Sequence, residues 1–410
     1  MTLFSRRLLR QSLYTSSTPL LAVSSLCALL WLATSHQSSS AAVTAHEWGT
    51  FTSVAGPDGN ARQWYALTGS TDLPAFVEHL GSTQFKGGLR GTIRMETPVL
   101  YFYAPRETNV SVHVSFAEGL ITEWYPHGSV PALDHNRDLL LLQKQTEGAI
   151  TWNGVAVQPG TASDFPTSTV GNSYFAARQT AAAPLSIDTA GGSQREKFLF
   201  YRGVSAVQPP LVAKLNAEGT VLLQNHFPQA STPNEIPDVI LFARRGAQVG
   251  YRILGPLKDE ASYALPTLGG SLDSLFSNLE GMFVAQGLYA DEAHAMLETW
   301  KSSWFEEGSR VLYLVPRAFV DSVLPLEITP APAQITRVFV GRIELVTPAT
   351  RQAVESAFAT NDHDTIAKYR RFLEPILRSI AESAPDEATR NRIGGYLNRA
   401  FTYATYDTGK

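Results

Sequence analysis

His46 would become a strong metal ligand if the chain were cut immediately before it. Residues 46–51 read HEWGTF, and the preceding Val43 and Ala45 are small residues at the positions that a signal peptidase recognises. An N-terminal histidine offers its α-amine and its imidazole to one ion, and Cu(II) favours nitrogen ligands in a roughly planar set. We therefore expect His46 to bind copper.

A second histidine would complete such a copper site. His113 lies on the polar face of a strictly alternating segment, which predicts a rigid strand and makes it the first candidate. His127 and His135, in a loop region, are the alternatives. The arrangement resembles the histidine brace of copper oxidases of the polysaccharide-cleaving type, and the resemblance is limited to this one feature. It implies a copper-binding protein or oxidase.

A second candidate site combines tryptophans with carboxylates. Trp300, Trp304 and Glu307 fall on one face of a predicted helix that ends near Gly308. A carboxylate in the last turn faces the negative end of the helix dipole, and Glu306 adds like-charge repulsion. We therefore expect Glu307 and Glu306 to be catalytic acids, with the two indoles binding substrate. Glu96 and Glu123, which are flanked by apolar segments, are alternative second carboxylates. This pattern is typical of a carbohydrate-active hydrolase or binding module.

The same carboxylates also have a structural interpretation. Glu307 could pair with Arg310 or Lys301 and simply tie the end of the helix to the following strand. In that case the protein would be a non-catalytic structural or adaptor protein of the cell envelope. Whether the chain is an enzyme stays open at this point.

Several arginines lie within or beside predicted strands. The set comprises Arg94, Arg202, Arg317, Arg337 and Arg342. Arginines in such places usually pair with carboxylates across the sheet. Residues 200–203, FYRG, could alternatively bind an anion.

Motifs of several reaction classes are absent from the sequence. It contains no glycine-rich phosphate loop, no Gly-x-Ser-x-Gly and no His-Glu-x-x-His. The only cysteine, Cys27, lies in an apolar run near the start of the chain. If that region is removed, the protein has no thiol, which excludes cysteine catalysis, thiolate zinc sites and iron–sulfur clusters.

Residues 1–45 predict a signal peptide. Residues 5–10 form a basic start and residues 19–33 an apolar run of signal-peptide length. Cleavage after Ala42 competes with cleavage after Ala45 and would leave no N-terminal histidine. Both the general secretory and the twin-arginine pathways are open. We expect a periplasmic or secreted protein, or one anchored in the inner membrane if the segment is not cleaved.

The charge of the remaining chain limits its partners. Residues 1–45 contain three arginines and no acidic residue, which leaves 30 basic against 37 acidic residues beyond them. An acidic protein without a basic stripe argues against nucleic acid as a partner. A membrane would be contacted only through an uncleaved N-terminal segment. A small molecule or a polysaccharide is the expected partner class.

The hydrophobic pattern predicts a mainly β protein of the α+β class. Residues 46–345 are expected to form a large antiparallel β-sandwich, with an alternating strand at 110–116 and an Asn-Gly hairpin at 150–157. Helical spacing of apolar residues predicts an insertion at about 271–307. The same spacing predicts a helical C-terminal segment over 346–410.

Four short motifs resemble a group of uncharacterised exported bacterial proteins. They are HEWGTF at 46–51, METP at 95–98, EWYP at 123–126 and WFEEG at 304–308. The resemblance extends over most of the chain after the signal segment. It implies export and brings no known activity.

Overall fold

The protein is described by a computed structural model over residues 42–65, 73–80, 90–131, 148–162, 164–169, 172–227 and 234–399. The signal-peptide prediction for residues 1–45 falls almost wholly outside these ranges. The strands are β1 (Thr44–Val54), β2 (Glu78–His79), β3 (Ile93–Tyr103), β4 (Thr108–Phe116), β5 (Gly119–Tyr125), β6 (Gly148–Val157), β7 (Leu185–Thr189), β8 (Gly192–Glu196), β9 (Leu199–Ser205), β10 (Leu211–Leu215), β11 (Thr220–Asn225), β12 (Ile236–Arg245), β13 (Gln248–Leu257), β14 (Glu260–Ala264), β15 (Gly308–Leu314), β16 (Leu326–Thr329) and β17 (Gln334–Leu345). The α-helices are α1 (Asn172–Ala176), α2 (Leu272–Ala285), α3 (Ala290–Trp304), α4 (Arg317–Val323), α5 (Pro348–Thr360), α6 (His363–Lys368), α7 (Leu373–Ser383) and α8 (Glu387–Leu397).

The largest sheet has the strand order β13-β12-β15-β17-β1-β3-β9-β5-β2. Its described pairs are antiparallel except for β1 with β17, which run parallel. The HEWGTF segment lies in the middle of this sheet, and all six of its residues are buried. Because both faces of β1 are covered, its sequence does not alternate between buried and exposed residues, and it gives no period-two pattern.

A second β layer covers one face of the large sheet. It consists of a sheet ordered β16-β4-β6-β7-β8 and a smaller one ordered β10-β11-β14. Apolar side chains from all three sheets form one continuous core. The predicted alternation at 110–116 is confirmed, because β4 buries every second residue from Val110 to Phe116. The molecule is therefore an α+β protein built on a β-sandwich.

Helices cover the opposite face of the large sheet. Helices α2 and α3 bury an aromatic-rich cluster that includes Trp48 and Trp304. The C-terminal helices α5, α7 and α8 bury a separate apolar cluster around Val354 and Ile376. A short 3-10 helix, Arg370–Phe372, precedes α7. Within the described ranges, no helix is both long and apolar enough to cross a membrane.

Two local predictions were wrong. Residues 150–157 do not turn back, because β6 runs straight through Asn153 and Gly154 and pairs with β4 across an irregularity opposite Val110–Val112. Gly154 has φ = 66°, and an extra residue in a strand is accommodated as a bulge rather than a turn. The second error concerns Glu307. Helix α3 ends at Trp304, so Glu307 follows the helix instead of lying on its apolar face.

Candidate functional site: an arginine-lined cavity

His46 lies inside β1 and is completely buried. Its Nδ1 is 2.7 Å from Oε2 of Glu292 in α3, and the hydroxyl of Tyr103 donates to Oε1 of the same carboxylate at 2.9 Å. The backbone on its N-terminal side already belongs to the sheet, where Thr44 pairs with both neighbouring strands. This donor set does not fit a histidine brace, which needs the α-amine and the ring nitrogen of His46 free for one ion.

His113 lies in a different sheet from His46. It occupies β4, where its Nδ1 is 2.8 Å from Oγ1 of Thr151. The structure thus does not bring the two predicted copper ligands together, and His135 falls outside the described residues. Over the described ranges, no group of three or more His, Cys, Asp or Glu side chains is arranged to hold a metal ion. Copper binding stays a prediction.

The two tryptophans of the carbohydrate hypothesis are packed inside the protein. Their indole rings stack at 6.1 Å with an interplanar angle of 7°, and Trp304 is completely buried. Glu307 is half-buried and accepts a hydrogen bond from the backbone N–H of Gly246 at 2.9 Å. Arg310 donates to the backbone carbonyl of Glu307 at 2.8 Å, so the predicted contact is made through the main chain. Trp304 therefore offers no surface to a sugar.

Glu306 is the carboxylate that enters a buried ionic network. Its Oε1 accepts from Nη2 of Arg342 at 2.5 Å, and Nε of Arg371 lies 3.5 Å from the same oxygen. Arg342 projects from β17 and Arg371 from the short 3-10 helix. Glu306 thus joins the sheet, the end of α3 and the C-terminal helices.

The centre of this network is Glu96, on an irregular part of β3. The pairing of β3 with its neighbours shifts register around residues 95–99. Thr97 has φ = 46°, a left-handed conformation that is uncommon for a residue other than glycine. On the neighbouring β1, a Cβ at Gly49 would stand 3.1 Å from Cα of Pro98. Such irregularities within a sheet often re-aim side chains at a functional site.

Four arginines surround the Glu96 carboxylate, which is 1% exposed. Its Oε1 is 2.7 Å from Nη1 of Arg371 and 3.3 Å from Nε of Arg94, while Thr52 donates to Oε2 at 3.0 Å. Burial alone would raise the pKa of Glu96. The nearby positive charges outweigh burial and lower its pKa instead; in order of effect they are those of Arg371, Arg94, Arg342 and Arg202.

A cavity of about 110 Å³ opens beside this network. Four elements, β3, β9, α3 and the 3-10 helix, contribute side chains to its wall. The residues are Thr97, Arg202, Thr299, Trp300, Ser303 and Arg371. Oγ1 of Thr299 and Nε1 of Trp300 are buried and have no hydrogen-bond partner among the described residues. Buried polar atoms are almost always paired in native proteins, so these two atoms indicate a place for a polar ligand or bound water.

Sequence reasoning found only part of this site. Trp300 was predicted to bind substrate, and residues 200–203 were considered for an anion, but Arg371 and Thr97 gave no signal of their own. Arg371 lies in a stretch predicted only as part of the helical C-terminal segment. Thr97 belongs to the METP motif, which indicated only a family resemblance.

Comparison with known proteins adds no assignment. No family model matches the chain, and no curated protein matches it. Among solved structures, the chain is similar to the mu homology domain of Fcho1 from Danio rerio with bound Eps15 peptide, with a TM-score of 0.29 and 8% identity over 74% of this chain and 96% of that chain. It is also similar to the yeast delta-COP-I mu-homology domain complexed with a Dsl1 WxWxV peptide, with a TM-score of 0.26 and 8% identity over the same shares. At such low TM-scores, neither structure bears on the function of this chain.

Proposed function

We propose that this protein binds a small anionic ligand in the cavity between β3, β9, α3 and the 3-10 helix. The observation that carries the proposal is the convergence of two guanidinium groups, Arg202 and Arg371, with the unpartnered polar atoms of Thr299 and Trp300 on one small buried space. A guanidinium group is the side chain best suited to carboxylate, sulfate or phosphate oxygens.

The network around the cavity is rich in arginine, the side chain that the proposal requires. Among the described side chains, the guanidinium groups of Arg94, Arg202, Arg310, Arg342 and Arg371 lie close to the carboxylates of Glu96, Glu306 and Glu344. These groups lie in a low-dielectric interior, where electrostatic attraction is stronger than in water. The cavity volume suits an oxyanion or the acidic end of a slightly larger molecule.

A matched pair of lysine variants tests this proposal. Arg371 and Arg94 both contact Oε1 of Glu96, but only Arg371 lines the cavity. Lysine keeps the positive charge and loses the planar fork of donors. We expect Arg371→Lys to weaken the binding of sulfate by roughly tenfold. Arg94→Lys should leave sulfate binding within about twofold of wild type.

Isothermal titration calorimetry with sulfate, acetate and phosphate at constant ionic strength provides the measurement. Circular dichroism of each variant checks that the fold is retained. Equal losses in the two variants would mean that the network is only a structural support. No binding of any of the three anions by the wild type would remove the proposal.

The sequence also suggests three other functions: a copper-binding protein, a carbohydrate-active protein and a non-catalytic protein of the cell envelope. An acidic sugar would combine the carbohydrate hypothesis with this cavity, since Trp300 lines it. Glu307 lies outside the lining residues and Trp304 is fully buried, so neither contributes to this form of the hypothesis. Copper binding by His46 and a periplasmic or secreted location rest on the sequence alone.

A further inference from the structure

Independently of the anion cavity, we infer that Asn153 is a site of self-modification, at which the side-chain amide is lost without an enzyme to give aspartate and isoaspartate. Residues 153–154 are the single Asn-Gly pair in the sequence. The pair lies in β6, where the strand departs from regular pairing with β4.

The irregularity is a bulge that sets two residues of β6 against one residue of β4. The flanking pairs are Val155 with Val110 and Trp152 with Val112. Between these pairs, Asn153 and Gly154 lie opposite Ser111 alone. An extra residue of this kind interrupts the ladder of backbone hydrogen bonds. The main chain of the pair is therefore held less tightly than the rest of β6.

Both residues of the bulge are exposed to solvent, whereas Trp152 and Val155 on either side of them are buried. Gly154 has φ = 66°, and a Cβ built on it would meet no atom of the described residues within 4 Å. Glycine has no side chain of its own to hinder approach to its backbone nitrogen. The bulge thus presents an exposed amide next to an unhindered nitrogen.

The reaction needs only these two residues and water. The backbone nitrogen of Gly154 attacks Cγ of Asn153, so that a new N–C bond forms, the Cγ–Nδ2 bond breaks and ammonia leaves. The product is a five-membered succinimide ring. Water then opens the ring at Cγ, which gives aspartate, or at the backbone carbonyl carbon, which gives isoaspartate.

Asp58 and Gly59 could form the same ring, but their surroundings oppose it. The N–H of Gly59 donates to the carbonyl of Gly56 at 3.0 Å. The side chain of Asn60 donates to the Asp58 carboxylate at 2.8 Å and lowers its pKa. An ionised carboxylate resists attack by a nitrogen nucleophile, so Asn153 is the preferred site.

The two products differ in their effect on the sheet. The extra residue in the bulge allows Trp152 and Val155 to point into the core together. Isoaspartate adds one methylene group to the main chain at this point and displaces Val155 from its pairing with Val110. Aspartate keeps the length of the main chain and adds only an exposed charge. The isoaspartate form is therefore the destabilised one.

Incubation of the folded full chain at pH 6 and pH 8, followed by peptide mapping, tests the inference. We expect residue 153 to gain about 1 Da, as aspartate and isoaspartate, and to do so faster at pH 8 because the attacking nitrogen must lose its proton. Asn109 is the internal control, since it is exposed on the paired strand β4 but is followed by the branched Val110. It should stay intact while Asn153 reacts. Asn153→Gln should lose the modification, because its ring closure would require a six-membered ring.

Conversion of Asn153 in the folded protein, with Asn109 unchanged, would support the inference. If Asn153 converts only after the chain is unfolded in urea, or no faster than Asn109, the bulge protects the amide and the inference is wrong. Thermal unfolding of the purified isoaspartate form and of Asn153→Asp tests the effect on the sheet. The isoaspartate form should melt at the lower temperature, and equal melting temperatures would overturn the predicted displacement of Val155.

Discussion

At the scale of single residues, the two stacked tryptophans provide a controlled comparison. Trp300 and Trp304 both have a buried indole N–H without a described partner, but only Trp300 lines the cavity. Replacing either by phenylalanine removes the N–H and keeps most of the aromatic packing. We expect Trp300→Phe to weaken sulfate binding by about tenfold, the typical loss of one hydrogen bond to a charged group. Trp304→Phe should change the affinity by less than about twofold.

Thermal unfolding of the same two variants provides the structural control. Both substitutions remove part of a buried ring, so both should lower the melting temperature to a similar degree. A loss of affinity in Trp304→Phe equal to that in Trp300→Phe would show that packing, and not the N–H in the cavity, controls binding.

Glu96 supports a prediction about pH. Its folded-state pKa is lowered, so ionised Glu96 stabilises the native state above the pKa of the unfolded chain. This contribution is lost as the pH falls below about 4.3 and through the lower folded-state pKa. Glu96→Gln lacks it at every pH and leaves buried arginines without their partner, which should cost about 3–5 kcal/mol at pH 7.

Urea denaturation of wild type and Glu96→Gln at pH 7, 5 and 3.5 measures this difference. The gap in unfolding free energy should be constant between pH 7 and 5 and should shrink at pH 3.5. A gap that stays unchanged at pH 3.5 would mean that Glu96 is not the titrating group.

At the scale of elements, β1 constrains where a signal peptide could be removed. Thr44 already pairs with Gln334 and Tyr103, and the carbonyl of Val43 accepts from the N–H of Ala333 at 2.8 Å. Cleavage after Ala45 would delete this part of the strand. It would also place a charged amine in a buried position, at a cost of several kcal/mol.

We therefore expect an exported form of the protein to begin at or before Val43. N-terminal sequencing of material recovered from the periplasm or the medium measures this directly. A chain engineered to begin at His46 should unfold at lower urea concentration than one that begins at Val43. A natural start at His46 with full stability would show that residues 43–45 are not needed in β1. It would also support the histidine-brace hypothesis.

The elements themselves were largely predictable, and the exceptions have clear physical reasons. The strand at 110–116 shows its period because one face is buried and the other is not. The Asn-Gly pair at 153–154 suggested a turn, yet the pairing of β6 with β4 on both sides of it made a bulge more favourable. The region after Thr360, predicted only to be helical, is divided into α6, the 3-10 helix and α7, and this break places Arg371 over the sheet.

At the scale of the whole molecule, the candidate site is an assembly of distant segments. Glu96 and Arg371 are 275 residues apart in sequence, and Glu306 lies in a third segment between them. No local pattern links these residues, because each one alone resembles an ordinary charged side chain beside a strand or helix. Only the packing of two helical groups on one sheet face brings them together. The sequence therefore indicated buried arginines and, separately, Glu96 as a possible second carboxylate, but not that they are partners.

This assembly predicts a coupling between the proposed anion and the C-terminal helices. Arg371 contacts Glu96 on β3 and lines the cavity, and it immediately precedes α7. An anion held by Arg371 should therefore stabilise the docking of α7 on the sheet, because a ligand that binds only the docked state shifts the local opening equilibrium towards that state.

Hydrogen exchange of the full chain with and without saturating sulfate measures this effect. Amides of α7 should exchange more slowly with sulfate, and those of the edge strand β13 should not change. Arg371→Lys should reduce the difference at the same sulfate concentration. Uniform slowing over the whole molecule would instead indicate general salt stabilisation, and the proposed coupling would be wrong.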